Sequence, residues 1–497
     1  MKAPQSVYFV SLGCPKNLVD SQIMLGKLEK GRFEISRDPA KADVIIVNTC
    51  SFIEASKEES IDTLLDLAEQ KNSGRCKVLV ATGCLVQRYV DALQKELPEI
   101  DLFLGTGQYH RITEALDALE RGVSEGDPMV KRTYVDQPAF IHSETDERRL
   151  TGPAYSAFLK ISEGCNRRCA FCIIPKLRGN VRSRTVESLV TETRSLASQG
   201  VREVNLVGQD LTEYGMEWKY RENLATLLPQ LAAVDGIEWI RLHYVYPDQF
   251  SDGLVEIVAR EPKIVKYLDM PIQHTVDRVL SGMNRRLTKK KLFDLVGKLR
   301  ARIPGLVFRT SIIVGFPGET EADFQEMLRD LRNLALDHLG VFRYSREEGT
   351  PAATMGEQVH AATKRRRAKE LQSLLSELAA HRQEAYVGTT QVILFHGAND
   401  ETELLLEGRL PTQAQEIDGK VLINDLASAL LTVDPLTGES TTILKPGDLL
   451  EVEISKAIAP DFLARALRVV SPARSVADVS KPGLVIESAL LENRNLG

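Results

Sequence analysis

The sequence predicts an α/β protein: a parallel α/β domain at the N-terminus, a central unit of βα repeats, and a small β-rich module near the C-terminus. Three observations carry that prediction. Short β-branched runs alternate with amphipathic helices over most of the chain, the pattern of parallel sheets covered on both faces. The 497 residues suffice for roughly three domains at ~150 residues each. With 43% hydrophobic and 27% charged residues, the composition is that of a globular protein with an ample core.

Composition also narrows the setting. No apolar run approaches the ~18 residues of a membrane span, so no membrane association is expected. The start, "MKAPQSVYFVSLG", lacks the long apolar stretch and cleavage site of a signal peptide, and a cytoplasmic location is expected. In that compartment seven cysteines point to metal or redox chemistry rather than to a disulfide framework. A net charge of −6 argues against a nucleic-acid-coating protein, and nucleic acid is not expected as a direct substrate.

The first domain is placed at residues 1–135. In "VYFVSLGCPKN" a β-favouring run ends at Cys14, and Pro15 suits the first turn of the helix that follows. "ADVIIVNTCSF" repeats the arrangement with Cys50, ahead of the helix "EASKEESIDTLLDLAEQ", and "CKVLVATGCLVQRY" repeats it with Cys84. Ligands of parallel sheets sit beyond the carboxyl ends of the strands. One strand-end cysteine would pass as packing, but three alike predict thiols converging on one edge. Cys76 begins a strand at the opposite edge and reads as structural. Soft thiolates select zinc, copper(I) or iron–sulfur clusters, and a closed zinc site wants four ligands, often in close pairs. The wide spacings and the absent fourth ligand fit instead a cubane cluster with one iron left open.

The second domain is placed at residues 151–370. Its first strand, "YSAFLKIS", leads into "EGCNRRCAFCIIP", where Cys165, Cys169 and Cys172 are separated by three and then two residues. Such a loop can hold three irons of a [4Fe–4S] cube, whereas ferredoxin-type runs supply four cysteines. This spacing resembles the radical S-adenosylmethionine (SAM) superfamily, in which SAM chelates the open iron. The helix "RTVESLVTETRSLASQG" and the strands "VREVNLVG", "IEWIRLHYVYP", "IVKYLDMPIQH", "LVFRTSIIVGFPGET" and "HLGVFRYSREEGTP" follow. Together they predict a partial TIM-type (βα)6 barrel with its chemistry at the C-terminal strand ends. The resemblance implies that "SIIVGFPGE" (Gly315, Phe316, Glu319) is a SAM-binding strand and turn. It offers Gln209 and Asp210 for the SAM ribose and Phe171 for the adenine; each also has a plain loop or packing reading.

Two such trios in this order resemble the methylthiotransferase family. "SLGCPKNLVDS", "NTCSF" and "ATGC" match its N-terminal domain. "CNRRCAFCIIP", "GFPGET" and "YSREEGTPAA" match its radical SAM domain, and the module at 385–470 resembles a TRAM domain. The resemblance implies two [4Fe–4S] clusters, an auxiliary one on Cys14, Cys50 and Cys84 and a SAM-cleaving one on Cys165, Cys169 and Cys172. It also implies an electron donor such as flavodoxin or ferredoxin, and a methylthio group transferred to a substrate radical.

The family modifies either an adenosine of transfer RNA or an aspartate of small-subunit ribosomal protein twelve. Gln273-His274, "YSREEGTP" and "EIDG" resemble the protein-modifying branch, although Arg346 stands where that branch would have proline. A non-catalytic iron–sulfur electron carrier is a third reading, disfavoured by the open trio and the "GFPGE" turn. Independently of the family, residues 385–470 hold 13 Asp and Glu against 6 Lys and Arg. An RNA-binding module should be basic, whereas an acidic one suits a basic ribosomal protein. Glu416 and Asp418, in a turn expected to be exposed, are the predicted docking residues. "ATKRRRAKELQSLLSELAAHRQEAY" is expected to be a linker helix on the barrel, and 471–497 a tail of unassigned role.

Overall fold

A computed structural model of the chain describes residues 5–473, apart from 128, 335, 400, 403 and 434–439. The expected tail lies outside the described residues from 474 onward. The N-terminal strands run in the order Phe33–Ile35, Gln5–Ser11, Val44–Thr49, Val78–Gly83, Leu102–Leu104, Thr133–Tyr134. Every neighbouring pair is parallel. Alternate residues feed two separate cores. Val7, Phe9, Val44, Ile46 and Val80 pack under helices Pro15–Lys30 and Ile112–Glu125. Tyr8, Val10, Ile45, Val47 and Leu79 pack on the other face with Leu64 and Leu93. This two-faced burial is why the strands read as unbroken apolar runs. Cys76 belongs to that second core, its Sγ 3.5 Å from the Val78 carbonyl oxygen.

The central sheet also has six strands, in the order His338–Arg343, Val307–Val314, Ile264–Asp269, Trp239–Leu242, Glu203–Val207, Ser156–Lys160. They are the six strands the sequence predicts, all parallel, and the first and last do not pair, so the barrel stays partial. Helix Ala361–Gln383 lays Ala368, Leu371 and Leu374 into the barrel's core, as expected of the linker helix. No helix of the described residues is long and apolar enough to cross a membrane.

The C-terminal module is a closed barrel of strands Thr390–Ala398, Leu406–Arg409, Val421–Leu426, Asp461–Ser471 and Leu449–Ile458 around Ile393, Phe395, Val452 and Phe462. It docks on the amino-terminal ends of the central strands, where Leu394, Ala414 and Leu449 meet Tyr155, Trp239 and Val307. Polar contacts seal the joint. Buried Glu203 accepts from Arg241 Nη2 at 3.0 Å and from Arg409 Nη1 at 2.8 Å. Tyr267 donates its hydroxyl to Asp418 at 2.5 Å.

That last contact corrects the sequence expectation for Asp418. Its carboxylate lies in the joint, 3.6 Å from Arg309 and 3.7 Å from His338, and takes the Ala414 N–H at 3.0 Å. Burial works against its charge, but His338, Arg309 and Tyr267 hold the carboxyl below the usual aspartate range. A turn carrying Gly419 looks solvent-facing because nothing local shows that cations from the central barrel wait beneath it. Glu416, two residues earlier, is exposed as expected.

Candidate functional site

The three cysteine-bearing strands of the first domain lie side by side, and register places their ends level, with Ser11 opposite Asn48 and Thr49 opposite Gly83. At ~4.8 Å between strands, Cys14, Cys50 and Cys84 necessarily emerge as neighbours. Cys14 precedes helix Pro15–Lys30, and Cys84 opens helix Cys84–Glu96. Two glycines make the approach possible. Gly13 has φ +88°, and a Cβ there would lie 2.7 Å from the Cys50 Cβ and 2.8 Å from its sulfur. Gly83 has φ +95°, and its Cβ would strike the Asn48 amide oxygen at 2.4 Å. Any other residue would be strained and would push the loops apart.

A polar strut ties the three loops together. The Asn17 amide donates to the Leu12 carbonyl at 2.8 Å and the Thr49 carbonyl at 3.1 Å, the backbone just before Cys14 and Cys50. Its oxygen accepts from Arg178 Nη2 at 2.8 Å, and the same nitrogen lies 3.5 Å from the Cys84 sulfur. Arg178 comes from the central domain, just after the second trio, and is 2% exposed. Its other nitrogen bonds Asp20 at 2.6 Å and Glu163 at 3.2 Å. Fully buried Lys160 completes this charge cluster by pairing with both carboxylates. Burial opposes ionisation of Glu163, yet Lys160 and Arg178 hold it well below the usual glutamate range. Four buried charges survive here because each has an opposite partner.

The second trio lies at the carboxyl end of strand Ser156–Lys160. The Cys165 N–H donates to Gly179 at 3.1 Å, and the Cys172 N–H to Cys169 at 3.1 Å. The loop is pinned from outside by the Ala170 N–H on Met283 and by the Ala352 N–H on the Ala170 carbonyl. Arg285 Nη1 lies 3.8 Å from the Cys169 sulfur. Cys84 packs against Ile173 and Leu177 in one small apolar cluster, so the first trio abuts the residue next to Cys172.

The donor set fits iron–sulfur chemistry. Six soft thiols stand in two groups of three, and among the described residues no histidine joins either group to complete a zinc tetrahedron. Among the described residues no three His, Cys, Asp or Glu side chains close round a common metal-sized point, so the fit rests on adjacency and donor type. Burial, then the neighbouring Cys84 and Cys14, push the Cys50 thiol up to about 12. Cys84 is raised by burial too, against the pull of Arg178. Thiols so close resist shedding protons unless positive charge arrives between them.

The residues offered for SAM fare differently. Phe171 is partly buried and packs against the apolar cluster that contains Phe316 and Tyr344. Phe316 and Gly318 line a cavity of 320 Å³ with Arg278 and Met355, within the size range of small-molecule sites. Gln209 donates to Glu163 at 2.6 Å and leaves its amide oxygen buried without a partner. Asp210 is engaged by Arg167 at 2.9 Å and by the Thr212 N–H at 2.9 Å. Glu319 folds back on its own turn, accepting from the Gly315 N–H at 2.6 Å, the Phe316 N–H at 3.2 Å and Arg367 at 2.9 Å. Both carboxylates therefore brace loops rather than facing open space. His274, a branch marker in the sequence, is wholly buried; its Nδ1 accepts the Val276 N–H at 3.0 Å, and burial drives its pKa down to about 3.

No local motif in the sequence marks Asn17, Asp20, Lys160, Glu163 and Arg178 as residues of this site. One signal was available: helix Pro15–Lys30 buries Asn17, Asp20, Ser21 and Gln22 where a packing helix would place apolar residues.

Comparison with known proteins bears on the whole chain. Residues 6–105 match the family described as "Uncharacterized protein family UPF0004", and residues 159–331 match the radical SAM superfamily. The ribosomal protein uS12 methylthiotransferase RimO of Geobacter sulfurreducens is 50% identical over 421 residues, 85% of this chain and 93% of that protein. The RimO of Anaeromyxobacter sp. is 48% identical over 465 residues, 94% of each. A solved radical SAM methyltransferase, TsrM from Kitasatospora setae with cobalamin and a [4Fe–4S] cluster bound, shares the fold. Its TM-score is 0.51 at 17% identity, over 70% of this chain and 77% of that one. With half its residues shared over nearly the full length of such relatives, the chain belongs to the RimO family and is a radical SAM methylthiotransferase.

Proposed function

We propose that this chain methylthiolates the β-carbon of an aspartate in ribosomal protein uS12, using SAM and two [4Fe–4S] clusters, one on each cysteine trio. The observation that carries the reading is the contact of Cys84 with Ile173, beside Cys172. It supports one chamber in which a radical source and a sulfur donor serve the same carbon. When bound, the clusters and SAM supply reductive formation of a 5′-deoxyadenosyl radical and a methylated sulfur for transfer; the protein sets distances and excludes water.

The chain's own residues do the positioning. Asn17 and Arg178 hold the three loops of the first trio to one another and to the central barrel. Phe171 and Phe316 offer apolar surface for the SAM adenine, and Gln209 keeps an unpartnered oxygen for a ribose hydroxyl. Glu319, Gly315 and Asp210 shape the loops around them. The acidic C-terminal module attracts the basic substrate, with Glu416 on its exposed face. A small electron carrier such as flavodoxin or ferredoxin is the reductant.

The test is mass spectrometry of uS12 and of transfer-RNA nucleosides from cells with and without this protein. A methylthio mass on an aspartate of uS12 that disappears with the gene product is the expected result. A change confined to transfer RNA would transfer the assignment to the nucleoside branch.

A further inference from the structure

Lys16 is built into the site in a way that packing does not explain. It is the second residue of helix Pro15–Lys30, two positions after Cys14. A cation there opposes the positive end of the helix dipole, where an acid would be favoured. The first turn of this helix holds no acidic residue to offset it. Among the described residues Lys16 makes no ion pair with a carboxylate, whereas three cations near it do. Lys160 and Arg178 are matched by Asp20 and Glu163, and Arg167 by Asp210 and Asp248. Its ammonium instead rests 3.6 Å from the ring centroid of Tyr244.

Tyr244 is itself unusual. It follows the third barrel strand, Trp239–Leu242, at the catalytic end of the barrel, and holds φ +60°, a conformation rarely taken by a residue with a side chain. Strain of this kind persists where the surroundings require it, and it clusters at ligand sites. The contact joins the loop of the first trio to the mouth of the central barrel. Both residues are only partly exposed, and the ammonium itself is buried against the Tyr244 ring beside Cys14, where burial makes a charged partner valuable. A lysine ammonium has three donors. Tyr244 holds the ammonium by cation–π attraction, and no carboxylate of the described residues takes its donors.

We propose that Lys16 receives the side-chain carboxylate of the aspartate to be modified, and thereby sets which carbon is presented beside Cys14. The inference rests on the reading of an aspartate in uS12 as the substrate. A carboxylate bonded at about 2.8 Å to the ammonium brings the adjoining β-carbon to the edge of the first trio. Holding the reacting carbon there supplies the proximity that a group transfer needs. A neutral purine gains nothing comparable from an ammonium, so the same lysine discriminates between the two substrate classes of the family.

The test measures binding without turnover. The fully loaded, unreduced enzyme with SAM is titrated by calorimetry with intact uS12 and with uS12 whose modified aspartate is replaced by asparagine. The parent should prefer the aspartate form by about tenfold or more, the scale of one charge-assisted hydrogen bond. Lys16→Gln and Lys16→Met should bind both forms equally and weakly, and Lys16→Arg should restore the preference. Iron content, melting temperature and the midpoint potential of the first-trio cluster are followed alongside. Discrimination that survives in Lys16→Gln would overturn the inference while leaving the uS12 reading intact. So would a shift in that potential with discrimination preserved, because Lys16 would then serve the cluster's charge. A parent that neither binds nor methylthiolates uS12 would overturn both.

Discussion

The N-terminal trio is drawn from residues 14, 50 and 84 and exists only because three strands lie side by side, whereas the barrel trio occupies residues 165 to 172 of one loop. The two are stabilised accordingly. The first depends on glycines that let backbones approach within a Cβ's width and on an asparagine that spans two strand ends. The second needs its own turns and a few pins from Met283 and Ala352. A site assembled across a sheet fails when distant packing fails. A site written into one loop fails when that loop is cut.

The sharpest way to break the comparison is to delete each trio. The parent should bind about eight irons per chain after anaerobic reconstitution, four per cubane. Alanine at Cys165, Cys169 and Cys172 should halve that and abolish SAM cleavage. Alanine at Cys14, Cys50 and Cys84 should also halve it, yet leave substrate-free SAM cleavage while abolishing methylthio transfer. Cys76→Ala should retain both clusters, since Cys76 lies in the apolar core. Iron assay and product chromatography decide it. A parent that never exceeds four irons would contradict two sites.

Asn17→Ala sharpens the difference without touching a cysteine. It orphans the Leu12 and Thr49 carbonyls and one hydrogen bond of Arg178. At about 1–3 kcal/mol for each buried group left unsatisfied, the first domain should lose on the order of 3–5 kcal/mol. First-trio iron should fall while barrel iron stays, as read by electron paramagnetic resonance of each cluster. Equal loss from both sites would show that the strut serves the whole interface.

These two regions also explain what was legible in the sequence. The closeness of Cys165, Cys169 and Cys172 is readable from spacing alone because all three lie in one loop. Cys14, Cys50 and Cys84 were readable only because the same strand–cysteine–helix pattern recurs and parallel strands end on one edge. The six barrel strands were legible as apolar runs. Arg178, Asp20, Lys160 and Glu163 were not, because each looks like an ordinary surface charge until the two domains close over it. The burial of Asp418 is hidden from the sequence for the same reason: its partners Tyr267, Arg309 and His338 lie far away along the chain.

Glu319 offers a comparison by pH. Burial pushes its carboxyl up to about 7, although Arg367 and the Gly315 and Phe316 amides pull against that. Its proton is thus held more tightly in the folded state than in the unfolded chain, where a glutamate titrates near 4.5. That contribution to stability is full below about 4.5 and is lost as pH rises through about 7. Glu319→Gln, which cannot ionise, should gain on the parent across this window, by on the order of 3 kcal/mol at most. Melting curves from pH 5 to pH 8 measure the gain. A constant difference between the two proteins would show that Glu319 stays ionised throughout.

The smallest effect is expected at the pole farthest from the thiols. The C-terminal module docks on the amino-terminal ends of the central strands, opposite the cysteine loop. On the proposed reading its acidic surface acts on the substrate from outside the cysteine end of the barrel, through the field that surrounds the molecule. Complementary fields chiefly raise association rates, and they are screened over ~8 Å at physiological ionic strength. Glu416 is the residue to reverse, because it is exposed, whereas reversing Asp418 would set a cation against Arg309 and His338. Glu416→Lys should slow capture of uS12 by about twofold at low salt, with the difference from the parent vanishing at high salt. Stopped-flow association across a salt series measures this, with the melting temperature as control since Glu416 sits at φ +62° in a tight turn. A stable Glu416→Lys protein that captures uS12 as fast as the parent at every salt concentration would remove Glu416 from recruitment.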